Sequence, residues 1–182
     1  MTGPPGGRPR LSAHDRRTPA VIRPLTTADA PACDDVIRSP PYHFGDPDGQ
    51  RECAEAVRTS PGLVAIRDDR VGGFLTIPHH FPATSEISWM AVHADHRGQG
   101  IGRALIGRLA DQLRREGGRL LLVTTLSSLA AEPGVADGDN RTRAFYRSVG
   151  FIPARELPNL WPNHPALLLA MPLEVLHDEV RR

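Results

Sequence analysis

Hydrophobic positions recur with helical spacing most clearly after residue 100. Ile101, Leu105, Leu109 and Leu113, with Ala104 and Ile106 beside them, place one apolar face along a helix that Gly117-Gly118 ends. Leu120 to Thr125 follows as a continuous apolar strand, the pattern of a sheet covered on both faces. Ahead of the helix, Glu86 to Val92 reads as one strand. Leu63–Arg67 and Val71–Ile77, joined by Asp68-Asp69-Arg70, read as a hairpin, and Pro78 to Pro82 as a turn. The chain's first ordered element is a short edge strand from Val21, since Pro24 lacks a backbone donor. Thr27 suits the cap of a helix over Ala28–Arg38, and a second helix fits Gln50–Arg58. Ser39 to Gly49 reads as the loop between them.

Downstream, Leu126 to Asp139 is small and polar and predicts a mobile loop. Asn140 caps a helix to about Val149, stopped by Gly150. Phe151–Glu156 and Ala166–Met171 are the last two strands, with Pro158 to Pro165 as their loop. The order β-α-α-β-β-β-α-β-α-β-β predicts a mixed α/β domain. Residues 1–19, rich in Pro, Gly and Arg, read as a disordered tail, and 20–182 as a single domain.

The strand-to-helix junction carries the chemistry. Arg97, Gly98, Gln99, Gly100, Ile101, Gly102 and Arg103 form a turn with three glycines at the start of a helix. Glycines let backbone N–H groups approach a ligand closely, and a helix N-terminus adds unpaired donors and partial positive charge. That combination suits a phosphate or pyrophosphate. A dinucleotide fingerprint needs G-x-G-x-x-G in a βαβ unit, and here Arg103 stands at its third glycine. A P-loop needs a lysine, and all 22 basic residues are arginine.

Composition narrows the remaining classes. With 182 residues and a net charge of +1, the chain has length for a full core and no basic excess of the kind nucleic-acid or membrane-surface binders carry. No apolar run approaches the roughly 18 residues of a membrane span, and the N-terminus lacks the apolar segment of a signal peptide. Cys33 and Cys53 make no disulfide framework and read as buried free thiols in a reducing cytoplasm. His79-His80 and His93-x-x-His96 lack carboxylate or cysteine partners at zinc-site spacing and read as solvated turn residues, so no metal is expected.

The turn resembles the [RQ]-x-x-G-x-[GA] signature of the GNAT superfamily of acetyl-CoA-dependent N-acetyltransferases, matched by Arg97 to Gly102. The strand before it has the family's spacing. The segment from Asn140 to Phe151 resembles its second motif, A-x-x-F-Y-x-x-x-G-F. The element order from Val21 to Leu173 also fits. The resemblance implies the GNAT acyltransferase fold: a mixed central sheet of six to seven strands, about four flanking helices, and a splayed wedge between the strand ending at Val92 and that ending near Thr125. It implies acetyl-CoA as cosubstrate, with backbone groups of Met90, Ala91 and Val92 along the pantetheine arm. Arg97 to Arg103 would hold the pyrophosphate, and Asn140 and Tyr146 would lie near the thioester. Family members are often homodimers, and nothing in the sequence fixes an interface.

Acetyl transfer to an amine needs a base for the ammonium, donors for the developing oxyanion and an acid for the leaving thiolate. Tyr146 is the candidate acid, on the argument that Phe145 already supplies the core contact. Glu86 is the candidate base, with His43 and His164 as alternatives in loops beside the acceptor groove. The N–H of Ala91 or Val92 can serve the oxyanion. Arg141 and Arg143 either meet a cofactor phosphate or solvate the helix start. Trp89 reads as core or groove wall. Trp161, Tyr42 and Phe44 would give the acceptor pocket an aromatic rim, suited to a small-molecule or peptide amine. A non-catalytic acyl-CoA sensor on the same fold, and a nucleotide-binding module, stay open as alternatives; thiol release and NAD binding discriminate them.

Overall fold

The computed structural model describes residues 19–39, 47–128, 136–161 and 164–173. Strand β1 (Val21–Pro24) leads into a 3-10 turn (Thr27–Asp29) and helix α1 (Ala30–Arg38), then helix α2 (Pro47–Thr59). Strands β2 (Gly62–Arg67), β3 (Arg70–Thr76), β4 (His79–Phe81), β5 (Thr84–Ile87) and β6 (Trp89–Val92) follow. Helix α3 (Ile101–Arg115), strand β7 (Leu120–Leu126), helix α4 (Ala136–Ser148) and strands β8 (Ile152–Trp161) and β9 (His164–Pro172) complete the described chain. The mixed α/β expectation holds. The strands divide into a sheet ordered β1-β2-β3-β6 and a sheet ordered β4-β5-β7-β9-β8. Among the described residues no helix is long and apolar enough to cross a membrane.

Two apolar layers hold this frame. Ile101, Leu105, Leu109 and Leu113 of α3 and Tyr146 of α4 pack on Leu63, Leu75, Ile87, Leu121 and Leu169. On the opposite face, Cys33, Val36 and Ile37 of α1 and Cys53 and Val57 of α2 pack on Val64 and Phe74. Both thiols are unpaired and buried, as expected. Burial pushes the Cys33 thiol up to about 12 and raises that of Cys53 as well.

Several local expectations are corrected. The first helix is capped one residue earlier than Thr27. Thr26 and Asp29 form a reciprocal capping box, and Arg23 grips Asp29 with two charge-assisted bonds of 2.6 and 2.8 Å. The Pro78–Pro82 turn contains strand β4, which pairs with β5. The Pro158–Pro165 loop is instead a hairpin extension, with Trp161 opposite His164. Pro158 is tolerated because β8 is the edge of its sheet. Helix α4 starts at Ala136, so Asn140 sits within it and caps nothing; its side-chain carbonyl accepts from Arg143 at 2.6 Å. Residues 136–139 therefore belong to α4 rather than to a loop. The tail as far as residue 18 lies outside the described residues.

The largest correction also builds the site. The strand read as Glu86–Val92 breaks at Ser88. Its first half, β5, runs parallel to β7, with Thr84 beside Leu120 and Ile87 beside Val123. Its second half, β6, pairs with β3 and leaves β7. Ser88 marks the parting: its N–H donates to the Thr76 carbonyl at 3.0 Å, and its hydroxyl lies 2.8 Å from that of Thr76.

Candidate active site

The gap between β6 and the end of β7 exposes backbone by construction. His93 N–H donates to the Gly72 carbonyl at 2.9 Å, and His93 and Gly72 continue the antiparallel register of β6 on β3. Antiparallel pairs alternate, so Ala91 turns its N–H and C=O to Phe74, while Met90 and Val92 turn theirs the other way, toward the gap. Of the two oxyanion donors expected, Val92 faces the opening and Ala91 faces the ladder. A strand-like ligand arm would complete the missing ladder through Met90 and Val92.

At the end of β6 the chain makes a 3-10 turn (Ala94–His96), capped by His93, whose Nδ1 accepts from the Asp95 N–H at 3.3 Å. The glycine turn follows and splits into two functions. Gly98 and Gly100 adopt left-handed backbone, with φ of +69° and +85°. A Cβ on either would meet nothing within 4 Å, so both face open space. Gly102 differs: it is buried in the first turn of α3, where a Cβ would lie 2.9 Å from the Phe145 ring. Its lack of a side chain serves helix packing rather than a ligand.

Helix α3 begins with no side-chain cap and no acid in its first turn. Its first bond runs from the Ala104 N–H to the Gly100 carbonyl at 2.9 Å. The N–H groups of Ile101, Gly102 and Arg103 precede that bond and point out of the helix end beside the two open glycines, an arrangement made for an anion.

The side chains of the turn brace it from behind. Arg97 is half-buried; its Nε donates to the Val92 carbonyl at 2.9 Å and its Nη2 to the Ser39 carbonyl at 3.4 Å. Burial lowers its pKa from the ordinary arginine value. Gln99 donates to the Asp95 carbonyl at 2.6 Å and accepts from Arg67 at 2.9 Å. Arg103 reaches across to Ser148 at the end of α4, at 3.0 and 3.1 Å.

Tyr146 and Glu86 lie on opposite faces of the sheet. Tyr146 belongs to the layer under α3 and α4, while Glu86 alternates with the buried Ser85 and Ile87 and so faces the other way. The expectation that Phe145 relieves Tyr146 of packing is corrected. Tyr146 is the more buried, at 6 % exposure, and sits edge-on to Phe145 and Phe151 at 5.3 and 5.4 Å. Its phenol oxygen has no hydrogen-bond partner among the described residues. Since no fully buried polar side-chain atom there lacks a partner, that oxygen touches accessible space. Burial raises the Tyr146 pKa above the ordinary phenol value, which keeps the proton on at neutral pH. Glu86 is half-buried and accepts from the Thr124 hydroxyl at 3.1 Å.

Sequence reasoning missed the part played by Arg143. It is 6 % exposed and donates to the Leu126 carbonyl at 2.7 Å, tying α4 to the end of β7. Neither a phosphate contact nor helix-end solvation describes it. His164 is exposed at the start of β9, which opens beyond the free end of β7. Tyr42, His43 and Phe44 lie outside the described residues, and nothing is placed around them.

The model of the family described as "Acetyltransferase (GNAT) domain" matches residues 59–153, just over half of the chain. The chain belongs to this family. Its match spans Glu86, the glycine turn and Tyr146. The acetyltransferase class and acetyl-CoA as cosubstrate come with that membership. Among curated proteins none matches. Solved structures share the fold. A protein from Desulfovibrio desulfuricans assigned to the GNAT family is 22% identical with a TM-score of 0.72, over 85% of this chain and 99% of that one. The ribosomal-protein-S18-alanine N-acetyltransferase of Escherichia coli is 21% identical with a TM-score of 0.67, over 90% and 99%. A protein from Salmonella typhimurium assigned as an acetyltransferase, solved with its cofactor acetyl-CoA, is 21% identical with a TM-score of 0.60, over 86% and 95%.

Proposed function

We propose that this chain moves the acetyl group of acetyl-CoA to a primary amine by direct attack, in the cytoplasm, without an acyl-enzyme intermediate. The observation that carries the reading is the open edge of β6, which leads straight into two outward-facing left-handed glycines and an uncapped helix end. These are the donors that an amide-containing arm followed by a diphosphate requires. The two buried free thiols suit a reducing compartment.

Each side chain then has a task. Val92 N–H donates to the oxygen that gains charge during transfer. Glu86, on the face opposite Tyr146, takes the amine proton directly or through water, and Thr124 holds its carboxylate in place. Tyr146 donates its proton to the departing thiolate from the cofactor side, where its hydroxyl has no competing partner among the described residues. A base and an acid on opposite sides of the gap let the amine enter from one face while the thiol leaves on the other. Neither Cys33 nor Cys53 is placed to act as a relay, since both are buried beneath α1 and α2 with thiols held protonated.

Thiol release from acetyl-CoA over a panel of polyamines, aminoglycosides, amino acids and N-terminal peptides tests the reading. Release above background with at least one amine is expected, with Glu86→Gln lowering turnover about tenfold or more. Tight CoA binding with no release over the whole panel would make the chain a sensor.

A further inference from the structure

Two guanidinium groups are buried among the described residues. Arg143 donates to two oxygens, the Leu126 carbonyl and the Asn140 side chain. Arg67 is different. It ends β2 on the face that carries Leu63 and Ala65, the layer under α3, and is 7 % exposed. Its one hydrogen bond runs from Nη1 to Gln99 Oε1 at 2.9 Å, and no carboxylate pairs with it among the described residues. Asp68 and Asp69, next in sequence, are exposed in the hairpin turn. Asp95 turns its carboxylate toward His93, at 3.7 Å.

The setting makes the missing partner more costly. Arg67 is bonded to the turn that feeds the N-terminus of α3, the positive end of a 15-residue helix with no acid in its first turn. Arg97 adds a second half-buried cation to the same turn. Buried charges persist in proteins when they are paired, and an unpaired one is a standing penalty. Apart from the Gln99 carbonyl oxygen, the helix end and Arg97 beside Arg67 favour an anion, and among the described residues no carboxylate pairs with it.

We propose that Arg67 is a coenzyme-binding residue whose guanidinium, presented through Gln99, is the counter-charge for the diphosphate at the glycine turn. The inference rests on the acetyl-CoA reading above. It also predicts a sign that a structural brace does not. Removing a brace weakens the protein in all states. Removing an uncompensated cation leaves the ligand-free protein at least as stable and weakens the complex alone.

Arg67→Met, neutral and of similar reach, separates the two. Calorimetry with CoA and dephospho-CoA, thermal denaturation with and without CoA, and steady-state kinetics would be run beside wild type. The expected result is a rise of about tenfold or more in Kd for both coenzymes, falling on KM rather than kcat, with an unchanged or higher melting temperature for the ligand-free variant. S-Acetylpantetheine, which has no phosphate, should be used equally by both proteins. Unchanged affinity with a lowered melting temperature would make Arg67 a brace and overturn the proposal. A loss seen with CoA but not dephospho-CoA would overturn it too, by moving the contact to the 3′-phosphate. Should the methionine variant not fold, Arg67→Lys decides: it keeps the cation and loses the guanidinium geometry, so affinity within about threefold of wild type is expected and a tenfold loss refutes the role of charge. Wild-type protein that binds no CoA would instead refute the acetyl-CoA reading itself.

Discussion

The two ends of the strand running from Thr84 to Val92 meet opposite fates. At the β5 end, every residue from Thr84 to Ile87 has a partner on β7, and Ile87 is sealed at 2 % exposure. At the β6 end, Trp89 to Val92 are half-buried and the ladder on the β7 side is withheld. Composition points the other way, since the paired end reads Thr-Ser-Glu-Ile and the unpaired end Trp-Met-Ala-Val. What separates them is a competing partner: β3 captures β6 through Phe74 and Gly73, and the Thr76–Ser88 contacts fix the point of departure. On the proposed reading, stability belongs to the paired end and ligand binding to the unpaired one.

That division can be broken by substitution. Gly100→Asp should have the largest effect, reducing CoA affinity by about 10³-fold or more through bulk and like charge in the anion's place. The folded protein loses only the order of 1 kcal/mol from left-handed backbone strain, because a side chain there meets no protein atom. Wild-type affinity by calorimetry would move the diphosphate elsewhere. Ile87→Ala strikes the paired end. About 3 kcal/mol of stability should go, read by urea unfolding, with CoA affinity preserved in the fraction that stays folded.

Tyr146→Phe should lower turnover on the order of 10²-fold with little change in KM for acetyl-CoA. Because burial raises the phenol's pKa above its ordinary value, the wild-type rate should climb as the amine deprotonates and show no alkaline decline below about pH 10. A rate unaffected by the phenylalanine would remove the acid assignment. The smallest and sharpest pair is Val92→Pro and Ala91→Pro. Val92→Pro deletes an N–H that faces the gap, so affinity for CoA should fall about tenfold with the ladder intact. Ala91→Pro deletes one that faces Phe74, so the loss should be about 1–3 kcal/mol of stability instead. Equal behaviour of the two variants would refute the alternation.

Much of the frame was legible in the sequence because it rests on local rules. The α3 face, its glycine stop, the Asp68-Asp69 hairpin and the apolar β7 follow from periodicity and turn chemistry. The wedge itself was expected from the family resemblance, but its starting point at Ser88 was not, because hydropathy is blind to which neighbour a strand selects. Pro158 misled in the other direction: a proline breaks a central strand, but β8 turned out to be an edge. Asn140 offered good cap chemistry at a place where the helix had already begun. The burial of Arg67 and Arg143 left no trace in the sequence because burial of an arginine has no local signature. Gly102 was grouped with its neighbours by motif and separated from them only by the ring it meets.

That last contact has a consequence for anyone wishing to engineer this protein. Gly102 touches the Phe145 ring, and Tyr146 is the next residue along α4. The proposed anion end and the proposed acid end of the site thus meet through one packing contact. A phosphate loop grafted from another scaffold would arrive with a foreign residue against that ring and tilt the phenol with it. If Tyr146 is the acid as proposed, cofactor preference and acid placement have to be redesigned together.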